Sequence, residues 1–187
     1  METISVTKFD VAERQLLQAI HMFFREDDII STHTVAEAAN QVLSDIGQEY
    51  QVKSFLRDSD FIREDKKKLW LKEIFKSRNF FKHADRDKTD IHEFKSLFNE
   101  FSLIDGVTMY SVIKKTWVPE TLLFQVWFSA KHPDLLLDDS DFKKQILSGF
   151  EDRRLISPDD MKTWYEMLIS MRSGSYHFDA VSLEYGI

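Results

Sequence analysis

The chain has 187 residues, enough for one domain with or without a helical extension, and its 43% hydrophobic and 30% charged residues exclude wholesale disorder. It has no Cys, which excludes disulfides, thiolate zinc centres, iron–sulfur clusters and cysteine nucleophiles, and fits a reducing, cytoplasmic setting. A formal net charge of −7 argues against general electrostatic capture of nucleic acid, while five Gly and three Pro are too few for the tight turns of an all-β protein.

The N-terminus lacks a basic start followed by an apolar run, so no secretory signal is expected, and no run of eighteen apolar residues predicts a membrane span. A first helix is predicted from Asp10, as N-cap, to about Arg25, with Leu16, Leu17, Ile20, Phe23 and Phe24 on one stripe. The second is expected to start at Ser31 or Thr32 and to bury Val35, Ala38, Ala39, Val42, Leu43 and Ile46. After an ambiguous stretch over 48–60, one long helix is predicted from Arg63 to His83, with Leu69, Trp70, Ile74 and Phe75 pointing inward. The polar run from Asp85 to Asp90 reads as a connection, with Thr89 or Asp90 capping a helix that carries Phe94, Leu97, Phe98 and Phe101 and breaks near Gly106. Pro119 suits the first turn of the next helix, whose Leu122, Leu123, Val126, Trp127 and Phe128 are apolar on several sides, so it is either central or part of a subunit interface. Helices over Asp141–Phe150 and Pro158–Met171, the second capped by Ser157, complete an all-α bundle with additional C-terminal helices. The expected organisation is one domain over 1–187 with a soft boundary near 85–89.

Several chemistries lack their motifs. There is no HExxH, no Glu-x-x-His, no Gly-rich phosphate loop and no GxSxG elbow. Asp85, Asp87 and Thr89 open like a calcium loop, but Asp90 stands where Gly is needed and Ser96 where a bidentate Glu is needed. His33 with Glu37, and His83 with Asp87, are each four apart and could offer two ligands from one face, but each reads first as a surface ion pair or capping contact. No third ligand can be named, so no metal or cofactor is expected. The lysine-rich run from Lys66 to Lys82 reads first as a solvated helix face.

The remaining motif is Arg78-Asn79-Phe80-Phe81-Lys82-His83. On a helix Asn79 and His83 share a face, whereas Arg78 and His83 lie about 140° apart and converge only if the helix end frays or a second subunit closes the site. A His that titrates near neutrality can move the proton of an RNA 2′-hydroxyl or of the leaving oxygen. An Arg fork can neutralise the phosphate, and Asn can hold either partner.

Arg78, Asn79 and His83 resemble the Arg-x4-6-His motif of the HEPN superfamily (higher eukaryotes and prokaryotes nucleotide-binding domains). The first helix pair, with Leu16, Leu17, Ala19 and Ile20 and then Thr34 to Ala39, looks like the opening of small bacterial HEPN-like proteins. The resemblance covers about the first half of the chain, and the part from Ile91 onward has no counterpart. It implies a helical bundle, commonly a homodimer in which two copies of the motif face each other. Many such proteins are metal-independent endoribonucleases of toxin–antitoxin or defence systems, and others only bind. The expected roles are His83 as general acid/base, Arg78 as phosphate ligand and Asn79 as orienter, with RNA or a nucleotide, and an antitoxin protein, as partners. The alternative is a non-catalytic helical protein that binds a partner or nucleotide, or dimerises through Trp117–Phe128.

Overall fold

The computed structural model describes residues 3–58, 63–85, 88–151 and 156–175, and among them every regular element is helical. Helix α1 (Lys8–Phe24) starts at a capping box: Thr7 Oγ1 accepts from the Asp10 backbone N–H at 3.1 Å, and Asp10 accepts from the Thr7 N–H at 2.7 Å. Thr7 is therefore the N-cap, and Asp10 belongs to the first turn. Helix α2 (Ile29–Gly47) starts two residues earlier than Ser31 because Asp28 caps it, accepting the Ser31 N–H at 2.8 Å.

The long helix predicted over 63–83 is divided at Phe75 into α3 (Glu64–Ile74) and α4 (Lys76–Lys82). The Phe75 ring has the guanidinium of Arg57 at 5.1 Å and that of Arg78 at 4.1 Å from its centroid, so two cations bind the residue at the break. Helix α4 packs on α2, whereas α3 buries no residue of its own. Leu69 is 58% exposed and Trp70 38%, which corrects their expected inward placement. Residues 88–96 are not helical, and the next helix, α5 (Leu97–Lys114), starts beyond Phe94. Side-chain contacts hold that segment against α4: Ser77 Oγ lies 2.8 Å from His92 Nε2, and Phe94 packs on Phe81 and His33.

Helix α5 runs unbroken through Gly106 and crosses α2 there. A Cβ at Gly106 would lie 2.3 Å from Asn40 Oδ1 and 2.9 Å from Leu16 Cδ1, so Gly marks a close helix approach and not a turn. Helix α6 (Pro119–Lys131) packs against α1, α5, α7 (Asp141–Glu151) and α8 (Met161–Arg172). Its Leu123, Phe124 and Trp127 join Leu16, Ile20 and Phe24 of α1, Leu103, Val107 and Tyr110 of α5, and Trp164 and Leu168 of α8 in one buried cluster. The buried indole N–H groups are satisfied: Trp127 donates to Pro158 O and Trp164 to Ser157 O, both at 2.9 Å. Those bonds fix the approach to α8, which Asp160 caps in place of Ser157. Among the described residues no helix is long and apolar enough to cross a membrane.

Candidate functional site

Arg78, Asn79 and His83 all belong to α4 or its end, and they face different ways. Arg78 turns toward α2: its Nη1 donates to Gln41 Oε1 at 2.8 Å while its guanidinium lies on Phe75. Burial pulls its pKa below the usual arginine value, opposed by nearby Glu37. Asn79 is exposed, and its carbonyl accepts the His83 backbone N–H at 3.0 Å. His83 is the exposed residue just past the last turn, and its side chain has no hydrogen bond or ion pair to another described residue. The single chain therefore brings Arg78 to a buried polar cluster and leaves His83 outside it.

That cluster lies where α2 crosses α5. His33, Glu37, Asn40 and Gln41 fall on one face of α2, at four- and three-residue spacing, and Asn99, Ser102 and Asp105 fall every three residues on α5. Glu37 is 3% exposed; its Oε1 accepts from Ser102 Oγ at 2.6 Å and its Oε2 from Arg57 Nη2 at 3.2 Å. Arg57 also donates to Gln41 Oε1 at 3.1 Å, so that one amide oxygen receives both Arg57 and Arg78. Asn40 Nδ2 donates to Ser102 O at 2.7 Å and to Ser102 Oγ at 3.1 Å. Glu37 is thus the anion of a buried charge-assisted network and is not paired with His33.

His33 is 3% exposed, and its Nδ1 lies 3.1 Å from Asn99 Oδ1. Desolvation pulls its pKa below the ordinary histidine value, partly opposed by the charge of Glu37. The surface ion pair or capping contact expected for His33 and Glu37 is corrected, since both are buried and bond other partners; the metal reading lacks companions, because among the described residues no three His, Cys, Asp or Glu side chains are placed to hold a metal ion. Asp87, the other half of the His83 pair, lies outside the described residues.

Beside the cluster is a cavity of about 490 Å³. Phe55, Leu56, Trp70, Ile74, Phe98 and Phe101 form most of its wall, with His33, Glu37 and Ser102 as polar groups and Lys95 also lining it. The wall segment is anchored by α5: Asp105 accepts from Ser54 Oγ at 2.6 Å and from the Phe55 N–H at 3.0 Å. The Trp70 indole donates to Leu56 O at 2.7 Å, tying α3 to the same segment. Arg57, Ser102 and Asp105 were not identifiable as site residues from their spacing to Arg78, which lies 21 to 27 positions away.

Burial pushes the Asp105 carboxyl up to about 6 from 3.8, against the opposing pull of its Ser54 hydrogen bond. Because the folded value is the higher one, the folded chain holds this proton more tightly than the unfolded chain does. Ionisation of Asp105 therefore removes stability as pH rises from about 4 to about 6, and the loss is complete above that window. Asp105→Asn cannot ionise, yet can still accept from Phe55. It should lose less stability than wild type between about pH 4 and about pH 7 in urea unfolding. Parallel curves for the two proteins would contradict this assignment.

Comparison with known proteins gives no match: no family model, no curated protein and no solved structure is significantly similar to the chain.

Proposed function

We propose that this chain is a non-catalytic helical binding protein that takes a small, largely apolar molecule in the cavity between α2, α3 and α5. The observation that carries this reading is the cavity itself, about 490 Å³ walled by aromatic and aliphatic side chains with a few polar groups at one side. That composition suits burial of an apolar body, and the size is within the range of small-molecule sites. Hydration of such a wall is unfavourable, so transfer of the ligand out of water supplies the affinity. Arg78 supports the same reading because its guanidinium is committed to Gln41 and Phe75 in the buried network.

A second reading keeps the metal-independent endoribonuclease implied by the HEPN resemblance, with His83 as acid/base and Arg78 as phosphate ligand. The observation in its favour is that Asn79 and His83 are exposed at the end of α4, as are Lys66, Lys68 and Lys72 of α3. It requires a second copy of the chain to bring a His83 to an Arg78.

Calorimetric titration with naphthalene separates the two readings. The binding reading predicts a Kd on the order of tens of micromolar, the affinity reached by a ten-atom apolar ligand of ordinary efficiency. Leu97→Trp, at a half-exposed position lining the cavity, should abolish binding without unfolding the chain. The same wild-type preparation should leave RNA intact in the presence of chelator. Absence of naphthalene binding, together with RNA cleavage that is lost in His83→Ala, would replace the first reading by the second.

A further inference from the structure

From the unequal anchoring of the cavity walls we infer that α3 is a ligand-coupled lid: it undocks about Phe75 while α4 stays on α2, and a bound molecule holds it closed. The coupling to a ligand rests on the binding reading above. The elements on either side of α3 are held by buried bonds. Asp105 of α5 fixes the segment that carries Phe55 and Leu56, accepting from Ser54 Oγ and from the Phe55 N–H. Helix α4 is fixed to α2 by Arg78 on Gln41, and to the segment before α5 by buried Ser77 beside His92 and by Phe81 against Phe94. Helix α3 lacks comparable anchors. Its residues are all partly or fully exposed, and of the helices it packs chiefly on α4. Among the described residues, its side-chain hydrogen bond to the rest of the fold is the one from the Trp70 indole to Leu56 O, at 2.7 Å.

An element with so few buried contacts opens at a fraction of the free energy needed to unfold the whole chain. Phe75 supplies the pivot. It closes α3 by donating its N–H to Leu71 O and opens α4 by accepting from the Asn79 N–H, with φ −86° and ψ 0° between the two helices. Its ring is gripped by Arg57 and Arg78, so the pivot stays in place when α3 leaves. Detached, a helix of 11 residues is too short to persist in water, so undocking also exposes its amides. Trp70 and Ile74 of α3 line the cavity, and undocking therefore removes one wall of the site. A molecule that needs this wall binds the docked state alone and shifts α3 toward it.

Amide hydrogen exchange of the full chain, followed residue by residue where reclosing outruns exchange, tests both halves. In the free protein the α3 amides should exchange well before those of α2 and α5. Trp70→Phe should speed α3 about fivefold, the effect of one net hydrogen bond, and leave α2 and α5 unchanged. Gly106→Ala, which loosens the α2–α5 crossing, should speed those two helices and leave α3 unchanged. Naphthalene at five times its Kd should slow all three helices about sixfold, because opening α3 destroys the site as fully as global unfolding does. Exchange of α3 in step with α2 and α5, and speeded with them by Gly106→Ala, would overturn the lid. Slowing in α2 and α5 but not in α3 would overturn the coupling and leave the binding reading standing. Slowing in none of them would overturn the binding reading and the coupling together.

Discussion

Replacing Glu37 by Ala should destabilise the fold by about 3–5 kcal/mol, the usual loss when one partner of a buried ion pair is removed. Both side chains of the Glu37–Arg57 pair are at least nine-tenths buried. Without the carboxylate, Arg57 keeps its bond to Gln41 but shares that oxygen with Arg78, and it loses the one ion pair it makes among the described residues. Ser102 Oγ loses its acceptor as well. The effect should appear as a lower urea midpoint with an unchanged slope. A double variant, Glu37→Leu with Arg57→Leu, removes both charges at once and should recover most of the loss, since well-packed apolar replacements of buried pairs are often neutral. A loss below about 1 kcal/mol for Glu37→Ala would mean that Arg57 reaches water, and the described network would be wrong.

Gly106→Ala should destabilise by roughly 3 kcal/mol even though Ala is the better helix former by about 1 kcal/mol. The added methyl would overlap Asn40 Oδ1 and press on Leu16 Cδ1. Asn40 is fully buried, so its amide cannot swing aside without breaking its two bonds to Ser102, and Leu16 is held in the core. Overpacking at about 1–3 kcal/mol and the lost hydrogen bonds at about 1–3 kcal/mol together outweigh the helical gain. Thermal unfolding gives the sign directly. A melting temperature equal to or above that of wild type would show that α2 and α5 can separate at this crossing without penalty, contrary to the close approach described.

The helices with a wide apolar stripe were legible in the sequence. Leu16, Ile20 and Phe24 on α1 mark their buried side at helical spacing, and α6 buries Leu123, Phe124 and Trp127 against α1, α5 and α8, one of the two placements its composition allows. What escaped local reading depends on partners distant in the chain. The break between α3 and α4 falls where Phe75 meets Arg57, eighteen positions earlier, and no propensity at 75 signals it. Gly106 looked like a helix break because Gly is a poor helix former, but its role is set by Asn40 across the interface. The candidate site was legible in part. Arg78 does lie beside a polar site, but the side chains it meets are Gln41 and the Arg57–Glu37 pair, and His83 is not among them. The usable signal was a second face of α2, His33, Glu37, Asn40 and Gln41, matched by the three-residue rhythm of Asn99, Ser102 and Asp105. Two polar stripes that can only be satisfied by each other predict a buried crossing, whereas an isolated His–Glu pair suggests only a surface contact.

A heteronuclear spectrum recorded during a naphthalene titration tests the cavity beside that crossing most directly. The Trp70 side chain lines the cavity and its indole N–H donates to Leu56 O, while the indoles of Trp127 and Trp164 donate to the backbone at 157–158, in the core. A saturable shift of the Trp70 indole resonance, with those of Trp127 and Trp164 unmoved, is the predicted result. No shift at Trp70, or shifts of equal size at all three, would contradict a binding site between α2, α3 and α5.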